Sequence, residues 1–230
     1  MCGRFALTTA AGEIASFFSV QLPTTSSGPT IQPRYNIAPS QQVSVIVADE
    51  GDAERKWKLF RWGLIPSWSK ETRIGYRLIN ARSETLGEKP SFRAAFQKRR
   101  CLIVADGFYE WEKTTTGKQP HYFSMANGGL MAFAGLWERW NRETEIFSCT
   151  IITTIANELL GELHDRMPVI LDPDHHEQWL DREFLDTGRL TNLFQPYPAE
   201  EMQCRAANPI VNNARNETPA CLDQEDKKTT

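Results

Sequence analysis

The chain has 230 residues, 40% hydrophobic and 24% charged, which suits a globular protein with a packed core. It carries no apolar run of membrane-spanning length and no basic stretch leading into an apolar one, which argues against membrane-embedded and secreted classes. The net charge of −3 speaks against bulk nucleic-acid binding, yet residues 1–118 hold 17 Lys and Arg against 11 Asp and Glu, and residues 119–230 hold 9 against 18. That division reads either as a basic and an acidic face or as chance clustering.

In chain order, Thr8 or Thr9 is placed to cap a short amphipathic helix reaching Phe17 and Phe18. Residues 23–33, rich in Thr, Ser, Gly and Pro, read as a linker. Val43–Ala48 and Trp57–Trp62 read as strands. A polar loop containing Gly75 then leads to Leu78-Ile79-Asn80, so Asn80 falls at a strand end. Ser91 opens a short helix that ends at the basic run Lys98-Arg99-Arg100. Cys101–Ala105 and Phe108–Glu112 are strands, followed by a turn at residues 114–117. His121–Met125, Leu130–Leu136 and Ile146–Thr154 continue the strand pattern. Asn157–Leu163 is helical, Pro168–Leu171 extended, and Asp172 with Pro173 opens a helix through Trp179 to Phe184. Strands do not alternate regularly with helices, which predicts an α+β fold, mainly antiparallel, with peripheral helices. One domain is expected over residues 1–222, with a polar tail over 223–230.

The five cysteines are widely spaced and form no C-x-x-C pair, so neither a zinc site nor a disulfide framework is indicated, and a reducing cytoplasm is the natural setting. Cys2 has a further property. Once Met1 is removed it presents an α-amine and a thiol on adjacent carbons. Such an amine, with a reference pKa of about 7.7–8.0, is partly neutral at physiological pH and condenses with aldehydes. The thiol can then close a five-membered thiazolidine, which an internal cysteine cannot do; position alone does not separate this from a chance cysteine.

In Asn80-Ala81-Arg82-Ser83-Glu84, Asn80 offers donor and acceptor, and Arg82 a fork suited to phosphate or to Glu84. Glu110, between Tyr109 and Trp111, is either a partly buried proton-transfer group or an exposed strand glutamate. In His164-Asp165-Arg166-Met167-Pro168, His164 suits acid–base work and Arg166 a phosphate, the alternative being a local Asp165–Arg166 pair. His121, His175 and His176 have weaker claims, the last two as solvated residues of an acidic helix. Trp68, in a loop with Pro66 and Ser67, is a base-stacking platform or a core anchor.

Taken in order, Met1-Cys2-Gly3-Arg4-Phe5, Arg34-Tyr35-Asn36-Ile37-Ala38-Pro39, Arg61-Trp62-Gly63-Leu64-Ile65-Pro66, the Asn80–Glu84 segment, Asp106-Gly107-Phe108-Tyr109-Glu110-Trp111, the His164–Pro168 segment and Val211-Asn212-Asn213 resemble the SOS-response-associated peptidase (SRAP) family. The resemblance runs from residue 1 to about residue 222. It implies a fold of two sheets forming a barrel-like core. It also implies a covalent thiazolidine between Cys2 and the ring-opened sugar of an abasic site in single-stranded DNA, with no metal or organic cofactor. In that reading Asn80 orients the sugar, Glu110 moves protons around the amine, and His164 helps open the sugar ring. Arg4, Arg82 and Arg166 hold phosphates, Pro39 and Trp68 bend and stack the strand, and Thr153 lines the site. A cytoplasmic protein, nucleoid-associated when bound to DNA, is implied if the source is bacterial; protein partners leave no motif. Two departures stand out: a longer loop between Trp68 and Asn80, and Ser67 where some members carry a second tryptophan. A cysteine peptidase built on Cys2, His164 and Asn80, and a non-covalent single-strand binding module, are the rival readings.

Overall fold

A computed structural model of the chain describes residues 2–22, 32–48, 54–115, 117–142 and 144–224. The expected linker and polar tail lie largely outside these residues, as do Met1 and part of the expected turn at 114–117. The elements are β1 (Phe5–Leu7), α1 (Ala11–Phe18), β2 (Arg34–Ile37), β3 (Gln42–Ala48), β4 (Arg55–Trp62), β5 (Asn80–Arg82), α2 (Arg93–Lys98), β6 (Arg100–Ala105), β7 (Gly107–Thr114), β8 (Gly117–Met125), β9 (Met131–Asn141), β10 (Glu145–Ile155), α3 (Glu158–Gly161), β11 (Arg166–Pro168), α4 (Pro173–Leu180), α5 (Thr187–Leu190) and β12 (Met202–Ala206), with short 3₁₀ turns between them. None of the described helices is long and apolar enough to cross a membrane.

The strands form two sheets, and the larger closes on itself. β10 pairs with β4, β4 with β3, β3 with β6, β6 with β9, and β9 returns to β10 over Glu145↔Asn141 to Ile151↔Gly135. Within that ring only the β10–β4 ladder is parallel. The continuous apolar run Cys101-Leu102-Ile103-Val104-Ala105 is fully buried, as a strand flanked on both sides and covered on both faces requires. β5 and β11 also attach to β10, one parallel and one antiparallel. The second sheet has the order β12-β8-β7-β1-β2, every ladder antiparallel. Phe5 and Phe108 join the sheets: Phe5 lies 5.1 Å from the Trp62 ring and both pack at 6.0 Å on Phe133. Each such ring is worth roughly 1.5–3 kcal/mol of burial, so the N-terminal strand is firmly seated on the barrel.

Arg100, 3% exposed at the start of β6, docks two helices. Its guanidinium donates to the carbonyls of Phe96 and Gln97 at the end of α2, and to those of Trp179, Asp181 and Phe184 at and beyond the end of α4. A cation at two helix C-termini satisfies carbonyls left without intrahelical partners, and burial lowers its pKa to about 10. The same contacts explain why α4 stops at Leu180 and not at Phe184. α1 also departs from expectation. It starts at Ala11 after an Ala10 cap with no side-chain bond, because Thr8 and Thr9 are engaged elsewhere: their backbone N–H and hydroxyl groups all donate to the Asp106 carboxylate. The stretch expected as a strand at Pro168–Leu171 is β11 displaced toward the N-terminus, with a single further bridge from Ile170 to Phe133. His176 is not solvated; it is 1% exposed, stacked 5.4 Å from Phe18.

Gly63 and Gly75 let the long loop lie against the barrel. Gly63 has φ +121°, and a Cβ there would sit 2.6 Å from the Gly75 carbonyl oxygen; one on Gly75 would sit 2.7 Å from that of Gly63. Two backbones cross where only hydrogen fits. The Gly63–Asn80 segment is thereby set beside the β4–β10 ladder.

Candidate functional site

Cys2 reaches the interior because β1 continues backward beside β7. Phe5 pairs with Phe108, and the Tyr109 N–H donates to the Arg4 carbonyl at 2.9 Å. That register sets the Cys2–Arg4 segment next to Glu110. Asn80, first residue of β5, comes from the other sheet, where it pairs with Ile151. Its Nδ2 donates to the Cys2 carbonyl at 2.8 Å, and its buried Oδ1 has no partner among the described residues. His164 stands just before β11, on the opposite side of β10 from β5. β10 is therefore the beam carrying Asn80 on one flank and His164 on the other.

Electrostatics couple two of the four directly. Cys2 is fully buried, and desolvation, then the charge of Glu110, push its thiol far above the ordinary range. Glu110 is 5% exposed, and burial raises its carboxyl pKa. His164 is half-buried and lowered by desolvation, with Asp165 acting in the other direction. Its Nδ1 accepts from the Arg166 N–H at 3.0 Å and lies 2.9 Å from Asp165 Oδ1. The two contacts call for opposite states of Nδ1. The lowered pKa favours the neutral ring, in which Nδ1 satisfies only one of the two at a time. The site thus combines a carboxyl biased toward its protonated form with an imidazole biased toward its neutral form, a pair suited to passing protons near pH 7.

The expected DNA contacts divide. Arg82, opposite Thr153 in the β5–β10 ladder, is exposed and has no ion-pair partner among the described residues. Glu84 does not pair with it. Instead the Arg166 fork grips Glu84 at 2.6 and 2.9 Å and donates to the Thr153 carbonyl at 2.5 Å, so Arg166 is buried and committed. Nor does Asp165 pair with Arg166; it faces His164. Thr153 is fully buried, its hydroxyl unpartnered among the described residues. Arg4 donates to Asn36 Oδ1 at 2.6 Å and to the Val211 carbonyl at 2.9 Å, with its guanidinium 5.7 Å from the Trp111 ring. Trp68 is 56% exposed, as a stacking platform requires and a core anchor would not be. Pro39 is half-buried in the turn after β2, and the next N–H, of Ser40, donates to the Trp62 carbonyl at 2.7 Å, tying that turn to the segment leading to Trp68.

Several positioning residues escaped the sequence reading. Asp106 is one. Asn36 is another: its Nδ2 donates to the carbonyls of Val211, Asn213 and Asn216, while Glu217 accepts from the N–H groups of Tyr35 and Asn36 and from Arg34. Both belong to motifs that were noted, but contacts across 97 to 181 residues of sequence leave no local pattern. His121, half-buried, bonds Glu112 at 3.0 Å and faces the Cys204 thiol at 3.7 Å, on the strand beside Glu110.

The chain is similar to known proteins over most of its length. The family model described as SOS response associated peptidase (SRAP) matches residues 1–214. The abasic site processing protein YoqW of Bacillus subtilis is 43% identical over 228 residues, covering 97% of this chain and 99% of that one. The abasic site processing protein HMCES of Xenopus tropicalis is 32% identical over 262 residues, covering 96% and 78%. Among solved structures, a Bacteroides thetaiotaomicron protein superposes with a TM-score of 0.86 at 26% identity, covering 97% of this chain and 99% of that one.

Proposed function

The chain belongs to the SOS response associated peptidase (SRAP) family, and from that premise we propose that it senses and shields abasic sites in single-stranded DNA by bonding covalently to them through Cys2. Relatives named for abasic site processing support the substrate. The observation that carries the chemistry is the convergence on Cys2: Asn80 holds its carbonyl at 2.8 Å, while the Glu110 charge acts on its buried thiol.

After removal of Met1, the α-amine of Cys2 adds to the C1′ aldehyde of the opened sugar. The carbinolamine loses water to an imine, and the thiol adds across the C=N bond to close a thiazolidine. One water is released overall. Glu110 in its protonated form donates to the departing hydroxyl. The thiol, whose ionisation burial opposes, needs a base at the moment of attack, and the Glu110 carboxylate left by that donation supplies it, while His164 helps open the sugar ring. Asn80 fixes the backbone so that amine and aldehyde meet as if at high effective concentration. Arg82 holds a neighbouring phosphate, Trp68 and Pro39 receive the strand, and Thr153 lines the pocket floor. Arg166 acts chiefly by holding the site together, since Glu84 and Thr153 occupy both of its terminal nitrogens, whereas Arg4 bonds Asn36 and Val211 through Nη1 alone and turns the rest of its fork to a phosphate. The imine also permits β-elimination, hence a weak lyase activity, and self-cleavage of the Met1–Cys2 bond is the sense in which a peptidase would operate here. Residues 1–222 act as one domain in this scheme.

The test is the intact mass of the protein, first checked for loss of Met1, after incubation with an abasic single-stranded oligonucleotide. Protein plus oligonucleotide minus one water, formed without reductant and lost in Cys2→Ala, is expected. A Cys2-initiated protein that yields no adduct overturns the proposal; peptide hydrolysis retained by Cys2→Ser would favour the peptidase.

A further inference from the structure

The loop from Trp68 to Arg77 builds a second feature, away from Cys2. A cleft of about 350 Å³ is lined by Lys70, Glu71, Thr72, Arg73, Trp140 and Arg142. Its wall is fixed by one acceptor: the Ser69 carbonyl takes the Trp140 indole N–H at 2.9 Å and Arg142 Nε at 3.0 Å. Arg142 keeps its two terminal nitrogens without partners among the described residues, and neither Lys70 nor Arg73 has an ion-pair partner there. Three cations against Glu71 leave the cleft positive. Trp68 precedes it in the chain, and Tyr76, 60% exposed with the Arg61 guanidinium 5.5 Å from its ring, follows it. Exposed aromatic rings interleaved with unpaired cations are what a single strand requires, rings for bases and cations for phosphates.

The strand register sets the spacing. Asn80 pairs with Ile151 of β10, whereas Arg142 lies in the turn before Glu145, where β10 begins. Six residues of strand span roughly 20 Å, about six nucleotides at the ~3.4 Å stacked rise and fewer if the strand is extended.

We propose that this cleft binds a backbone phosphate of the same DNA strand several nucleotides to one side of the lesion, making residues 68–77 and 140–142 a second footing for single-stranded DNA. The assignment rests on the function proposed above, and its test separates the two. Lys70→Gln/Arg73→Gln alters exposed side chains that hold no part of the fold. Undamaged fluorescent oligonucleotides, a short one and versions lengthened on either flank, are titrated against wild type and variant at several salt concentrations. Wild type gains affinity when one particular flank is lengthened; the variant loses that gain, about tenfold at low salt, and its salt slope falls by about 0.7, from one lost phosphate contact. Both proteins form the covalent adduct equally well on a short abasic oligonucleotide. Identical flank and salt dependence overturns the second footing, as does an equal loss on the short oligonucleotide. Thermal stabilisation of wild type by inorganic phosphate with no flank effect assigns the cleft to a free anion and also overturns it. Absence of any adduct from wild type instead defeats the function proposed above.

Discussion

Glu110 shows how a buried carboxyl is held at a cost to the fold. Its folded pKa is raised above the unfolded value near 4.5, chiefly by burial. The folded state therefore holds on to its proton longer than the unfolded state does. The stability linked to that proton is complete below the unfolded pKa and is lost as pH rises through the folded one. Glu110→Gln, which cannot ionise, is expected to melt above wild type at pH 8, with the difference vanishing as pH falls toward 4. About 2–4 °C accompanies each kcal/mol for a chain of this size. The same variant should form the adduct about 10²-fold more slowly, the lower range for loss of a general acid. A melting curve at two pH values and a time course of crosslinking check both; a variant no more stable at pH 8 would show that the carboxylate is not strained there.

At the scale of elements, the connection from β1 to α1 hangs on Asp106, which receives four hydrogen bonds from Thr8 and Thr9. Asp106→Ala strands two backbone N–H groups and should cost about 2–3 kcal/mol in urea unfolding. Because the same turn holds β1 against β7, crosslinking should also slow, although Asp106 touches no reacting atom. Asp106→Asn, which keeps an acceptor, should recover part of both. Expected and observed strands agree best where an apolar run is long enough to declare itself, as in β3, β4, β6, β9 and β10. β1, β2 and β12 were not legible as strands, being three to five residues long and defined by partners distant in sequence, and the strand expected to reach Asn80 instead starts there as β5. Thr8 and Thr9 have the composition of helix caps, and a carboxylate almost a hundred residues away overrides that preference. At the candidate site, ordered motifs pointed to Cys2, Asn80, Glu110 and His164. The pairing of Arg166 with Glu84 was not, because either Arg82 or Asp165 offered a nearer partner in sequence.

Across the whole molecule, the closed barrel gives β10 a fixed position, and β5, β11 and β9 are placed from it. The second sheet brings Cys2 and Glu110 to that frame, and residues 211–217 lock it from outside. Glu217→Ala removes the acceptor for Tyr35, Asn36 and Arg34. It should lower stability by about 1–3 kcal/mol and loosen Asn36, hence Arg4. Thermal melting and amide exchange at Tyr35 and Asn36 would register this; unchanged exchange would mean that the latch is held by Asn36 alone.

The latch bears on how the protein is made. Arg4 donates to Asn36, and the two find further acceptors at Val211, Asn213 and Asn216. On the ribosome Cys2 emerges well before those residues. Under the function proposed above, the surroundings of the reacting cysteine are therefore completed only once residues 211–216 have been made.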